Sequence, residues 1–144
     1  MLKWLSAAAF GLMVAGLVVL LARREVLAHS IAGIAVQAMA VLLMVLARLA
    51  FGIRSFHATA NPTAGGLVTR GPYRWLRHPI YAAVLYFCWA AALDYRTPGA
   101  FGAAVLVTIG AFARMFMEER LLVGMYPDYR AYAARTARVI PFVL

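Results

Sequence analysis

Residues 4–22, WLSAAAFGLMVAGLVVLLA, run nineteen positions without a charged side chain and are closed by Arg23, Arg24 and Glu25. As a helix rising 1.5 Å per residue, this stretch covers roughly 28 Å, about one hydrocarbon core. Three further apolar stretches follow. Ser30 to Phe51 carries Arg48 near its end, where a long side chain can snorkel to the headgroups; Ile80 to Leu93 is short; Pro98 to Met117 carries Arg114 near its end. Residues 4–22 also admit reading as a signal peptide, since Lys3 precedes the run and Val26-Leu27-Ala28 looks like a cleavage site. The Arg23-Arg24-Glu25 interruption and the length of the run argue against it.

The composition agrees with a bilayer. Of 144 residues, 65% are hydrophobic and 13% charged, with a mean hydropathy of +0.83, against roughly 45–50% and 25% in soluble domains. A water-soluble globule and a disordered chain are both excluded. The expectation is an all-α integral membrane protein, a single domain over 1–144 with about four transmembrane helices in two hairpins. Its parts are two N-terminal helices (1–51), a cytoplasmic loop (52–79), a helical hairpin (80–117) and a cytoplasmic or interfacial tail (118–144). The single cysteine, Cys88, lies within an apolar stretch and is read as a lipid-facing or packing residue, so no disulfide framework is available.

The net charge is +9. With both termini and the 52–79 segment on one side, Lys3, Arg48, Arg54, Arg70, Arg74, Arg77, Arg114, Arg120, Arg130, Arg135 and Arg138 collect there, against Arg23, Arg24 and Arg96 opposite. Eleven against three makes that side cytoplasmic. Charge so distributed serves topology, and it disposes of most of a nucleic-acid reading.

Two polar segments share that side. The 52–79 connection is long for a turn, and long structured loops are usually functional. Asn61-Pro62, Gly65-Gly66 and Gly71-Pro72 signal turns, and Pro79 suits the first turn of a helix, which puts His78 at its mouth. In the tail, Tyr126, Tyr129 and Tyr132 recur every three residues, so much of it reads as a short amphipathic interfacial helix ended by Pro141.

Glu118-Glu119 is the chain's only adjacent carboxylate pair, at the end of a membrane helix where an unpaired carboxylate is costly. Arg114 or Arg120 could neutralise it as a structural ion pair; the alternative is a ligand offering hydroxyls, an amine or a positive centre. Arg77-His78 reads either as an interfacial anchor or as a pair of ligand donors, and the tyrosines by default form an aromatic belt. No zinc signature, Walker loop, nucleophile elbow or GxGxxG is present, and His29, His57 and His78 are not spaced to bind a metal locally.

As strings, LVTRGPYRWLRHPIY (67–81) and EERLLVGMYPDYRAYAARTARVIP (118–141) closely resemble the two signature regions of the isoprenylcysteine carboxyl methyltransferase family and its phospholipid N-methyltransferase relatives. The resemblance covers roughly the second half of the chain. It implies S-adenosylmethionine as methyl donor, held by Gly66, Leu67, Val68, Tyr73, His78, Pro79, Ile80 and Tyr81 and closed by Glu118 or Glu119. It also implies that Arg114 meets the substrate, with Tyr81 and Arg114 as positioning groups and no metal. The implied acceptor is a small lipophilic molecule from the membrane: a carboxylate or thiol of an isoprenylcysteine-like compound, or a lipid amine. A non-enzymatic helical membrane protein binding anionic lipid or a partner through its basic face is the rival reading. Nothing in the sequence specifies an oligomeric state.

Overall fold

A computed structural model describes residues 2–52 and 66–141, and within them the protein is helical: α1 (Leu2–Ala22), α2 (Ile31–Phe51), α3 (Pro79–Tyr95), α4 (Pro98–Met125) and α5 (Tyr129–Arg135), with a 3-10 turn at Gly71–Arg74. The chain has the build of an all-α integral membrane protein. α1, α2 and α4 are long and apolar enough to cross a membrane, and α3 is a shorter apolar helix between α2 and α4. Asn61-Pro62, Gly65 and His57 lie outside the described residues.

Local chemistry sets the helix ends. The Ser30 hydroxyl accepts the Gly33 N–H and the Thr97 hydroxyl accepts the Ala100 N–H, each at 3.1 Å, while Pro79 and Pro98 open their helices. At the end of α1, Glu25 N–H bonds the Leu20 carbonyl and Arg24 N–H the Leu21 carbonyl, a Schellman cap with Arg24 in the left-handed region at φ 55°.

Two expectations are corrected. α4 does not stop at Met117 but runs about two further turns to Met125. Glu118 and Glu119 are therefore helical residues, and the tail starts later. Charge ends a membrane span without ending a helix: Glu-Glu-Arg-Leu-Leu are good helix formers, and Pro127 is the first residue that cannot continue. α5 in turn ends at Arg135, well before Pro141. Beyond it the backbone pairs with the approach to α3: Ala137 N–H bonds the Trp75 carbonyl, Arg77 N–H the Ala137 carbonyl and His78 N–H the Arg138 carbonyl.

Of the two sequential hairpins, α3–α4 packs as a pair, while α1 and α2 each turn to the other hairpin. α1 lies mainly against α4 and α2 against α3, flanking a packed α3–α4 pair. Small residues permit this. A side chain at Gly110 would collide with the Ala9 carbonyl and Met13, and one at Gly16 with Ala103 and Val107, so α1 and α4 run antiparallel nearly backbone to backbone. Ala82, Cys88 and Ala92 of α3 and Ala100 and Ala104 of α4 are buried in the core, which makes Cys88 a packing residue. Gln37, buried within α2, accepts the Ala28 N–H and donates to the Val26 and Phe87 carbonyls, tying the α1–α2 connection to α3.

The result has two polar ends. At one, Glu25 is bonded by Arg23 and Thr97, and Asp94 accepts the His29 and Ser30 N–H groups. At the other meet the start of α1, the ends of α2 and α4, the start of α3, and α5. A glycine would hold the left-handed cap at residue 24 without the strain of a side chain. Arg24→Gly is therefore expected to raise stability by about 0.5–1 kcal/mol, measured by thermal unfolding in detergent.

Candidate functional site

At that second end lies a cavity of about 350 Å³. One wall is apolar and comes from the membrane helices: Phe10, Met13, Val14 and Leu17 of α1, Met44 of α2 and Val84 of α3. The rest of the lining carries the polar and aromatic groups, Tyr73 from the connection, His78 and Tyr81 from the mouth of α3, Arg114 and Glu118 from α4, and Tyr126, Tyr129 and Tyr132 from the tail, interspersed with Gly66, Leu67, Val68 and Ile80. Arg48, Phe51, Arg77 and Leu122 complete the lining.

Adjacent residues on a helix point about 100° apart, and the two glutamates use this to do different things. Glu118 lines the cavity: the Tyr81 hydroxyl donates to its Oε1 at 2.5 Å, and Arg114 Nη2 lies 3.4 Å from the same oxygen. Arg114, only 4% exposed, also donates from Nε to the Tyr81 oxygen at 2.7 Å and from Nη1 to the Ser6 carbonyl, with its guanidinium over the Phe10 ring. Glu119 turns away from the cavity to the tail. Arg77 Nε reaches it at 3.1 Å, Arg138 Nε and Nη2 at 3.2 Å, and His78 Nε2 lies 3.2 Å from its Oε1. Of the sequence alternatives for the acidic pair, the structure shows the ion pair, between Arg114 and Glu118; Glu118 also lines the cavity, and Glu119 is held by Arg77, His78 and Arg138 instead of Arg114 or Arg120.

The clasp at Glu119 is extended by backbone bonds. Arg77 donates to the Ala133 and Thr136 carbonyls, capping the end of α5 where helix carbonyls lack partners. The Tyr132 hydroxyl donates to the Tyr73 carbonyl at 2.8 Å, and the Tyr86 hydroxyl to that of Val139. Burial pushes the Tyr132 hydroxyl up to about 12 and raises those of Tyr73 and Tyr129 as well, so all three carry their protons at neutral pH. Tyr129 stands apart. It is 2% exposed, it lines the cavity, and its hydroxyl has no hydrogen-bond partner among the described residues.

Most of the residues singled out from the sequence meet here: Gly66, Leu67, Val68, Tyr73, His78, Ile80, Tyr81, Glu118 and Arg114 line the cavity. Pro79 is buried at the start of α3, and Glu119 holds the tail. His29 is at the far end, paired with Asp94. Among the described residues no cluster of His, Cys, Asp and Glu could hold a metal. The apolar wall from α1 and α2 was not legible, because Phe10, Met13 and Met44 are indistinguishable in sequence from lipid-facing neighbours. Arg48 and Tyr129 did carry a signal, a cation inside a span and a regular tyrosine spacing, which the default readings of snorkelling and aromatic belt absorbed.

The model of a family described as phospholipid methyltransferase matches residues 28–129. The chain belongs to the phospholipid methyltransferase family. Membership accords with the resemblance carried by residues 67–81 and 118–141, and the match also takes in α2. Methanethiol S-methyltransferase 1 of Bradyrhizobium diazoefficiens is 37% identical over 71 residues, an alignment covering 49% of this family member and 24% of that protein. The shared stretch is thus about a quarter of the relative's length. No solved structure matches.

Because Glu119 gathers two arginines and a histidine from two segments, Glu119→Gln should free the tail. The expected loss is about 2–3 kcal/mol of stability, with faster proteolysis at Arg130 and Arg135, whereas Glu118→Gln should leave the proteolysis pattern unchanged.

Proposed function

We propose that the chain is a membrane-embedded methyltransferase that uses S-adenosylmethionine as methyl donor. Its acceptor would be a lipophilic molecule entering from the bilayer: a thiol or carboxylate of an isoprenylcysteine-like compound, or a lipid amine. The observation that carries this reading is one cavity with two chemistries, polar and aromatic beneath the tail and apolar between α1 and α2. The charge asymmetry of the connections supports placing that end and both termini on the cytoplasmic face, with the whole of 1–144 acting as one membrane domain.

The residues present fit the methyl donor. Glu118 offers a carboxylate to an ammonium or to ribose hydroxyls, Tyr73 and Tyr126 offer aromatic faces, and the backbone at Gly66, Leu67 and Val68 offers polar groups at the cavity wall. The Tyr129 hydroxyl, which has no partner among the described residues, supports the fit most directly, since a buried hydroxyl without a partner costs about 1–3 kcal/mol unless a ligand satisfies it. When bound, the donor would supply a methyl group made electrophilic by its sulfonium. The chain's own contribution would be placement: Tyr81 and Arg114 hold the Glu118 carboxylate in one orientation, and the α1 and α2 side chains keep water from the reacting end. Arg114, at the junction of the two walls and over Phe10, is assigned to an anionic group on the acceptor.

Calorimetry with S-adenosylhomocysteine tests this. Glu118→Gln should weaken binding by about 1.5–3 kcal/mol. Tyr129→Phe should also weaken it, while raising the stability of the ligand-free protein by about 1 kcal/mol, because an unsatisfied hydroxyl is removed. Arg114→Leu should largely spare the affinity and instead raise the acceptor's KM or lower kcat. Equal losses of affinity in the Glu118 and Arg114 variants would make Arg114 a structural counter-ion, and no binding at all would favour the non-enzymatic reading.

A further inference from the structure

The roof of the cavity has an outer face as well as an inner one. The chain has five acidic side chains. Glu25 and Asp94 are engaged at the opposite end, Glu118 and Glu119 are held as described, and Asp128 is the acidic residue left on the outer surface at this end. Against it stand five exposed arginines: Arg70, Arg74, Arg120, Arg130 and Arg135. Beside them Trp75 is 56% exposed, with the Arg74 guanidinium 5.7 Å from its ring centre.

These groups are held in place. Arg70, Arg74 and Trp75 sit on or beside the 3-10 turn, Arg130 and Arg135 on α5, and the two pieces are locked together by the Tyr132–Tyr73 hydrogen bond and the Leu76–Ala137 bridge. The surface begins where the apolar spans stop, and α4 and the tail expose Val123, Met125 and Ile140 nearby. An indole at that level belongs among headgroups, and guanidinium forks match phosphate oxygens. Basic and apolar groups mixed at a membrane boundary are the composition of an interfacial surface.

We propose that this outer face binds anionic phospholipid headgroups, so that the cavity roof rests on acidic lipid. The inference does not depend on methyl transfer, since it rests on the outer face alone.

The chain has three tryptophans, Trp4, Trp75 and Trp89, so Trp4→Phe with Trp89→Phe leaves Trp75 as sole reporter. In phosphatidylcholine bilayers, brominated phosphatidylglycerol should quench it with at least about 3-fold higher relative affinity than brominated phosphatidylcholine at low salt. The preference should fall towards parity at high salt and in a variant with Arg74→Gln, Arg130→Gln and Arg135→Gln. Equal quenching by the two lipids overturns the proposal, and so does no quenching by either, which would leave the face to an acidic protein. Because Trp89 bonds Thr108, the reporter could fold poorly. Native mass spectrometry of the unaltered chain from mixed bilayers is the second measurement: preferential retention of phosphatidylglycerol, lost with the three glutamines, is expected, and retention in proportion to supply contradicts it.

Discussion

A carboxylate at the end of a membrane helix must find polar partners, and Glu119 finds two arginines and a histidine, from two segments far apart in sequence. Arg77 and His78 precede α3, Arg138 follows α5, and all converge on one side chain of α4. That convergence joins the Tyr132–Tyr73 hydrogen bond and the backbone pairing at Ala137 in folding the tail back over the helix ends. With it, Arg77 is placed to cap α5, and Tyr129 and Tyr132 are brought over the cavity. The clasp thus roofs a gap between the helices with the tail tyrosines.

The adjacent residue performs the other half of the division. Glu118, one residue earlier on the same helix, faces inward to Tyr81 and Arg114. Two neighbouring acids on one helix therefore separate holding the tail from facing the cavity, and the helical periodicity alone decides which does which. A tail that began at residue 118 could not achieve this, since only the continued helix fixes both directions.

Much of this was legible in the sequence, for physical reasons. Uncharged runs of nearly twenty residues have few outcomes other than membrane helices, and Pro79 suits the opening of α3. The meeting of 67–81 with 118–141 was legible through the family pattern and the polar sidedness. Three things were not. The end of α4 was hidden because the loss of apolar character at Glu118 looks like the end of a helix. The pairing of α1 with α4 depends on Gly16 and Gly110, whose meaning appears only when the facing backbone is known. Gln37, a polar residue inside a span, looks like a functional group, yet three hydrogen bonds make it a structural tie.

The central claim is that the cavity between the mouth of α3, the end of α4 and the tail holds the methyl donor. Irradiating the protein with radiolabelled S-adenosylmethionine and mapping the cross-linked peptides tests it directly. Label confined to the peptides spanning residues 66–81 and 118–132, and competed away by S-adenosylhomocysteine, is the result expected. Label at the Glu25–Asp94 end, or label that the competitor does not displace, would contradict the account.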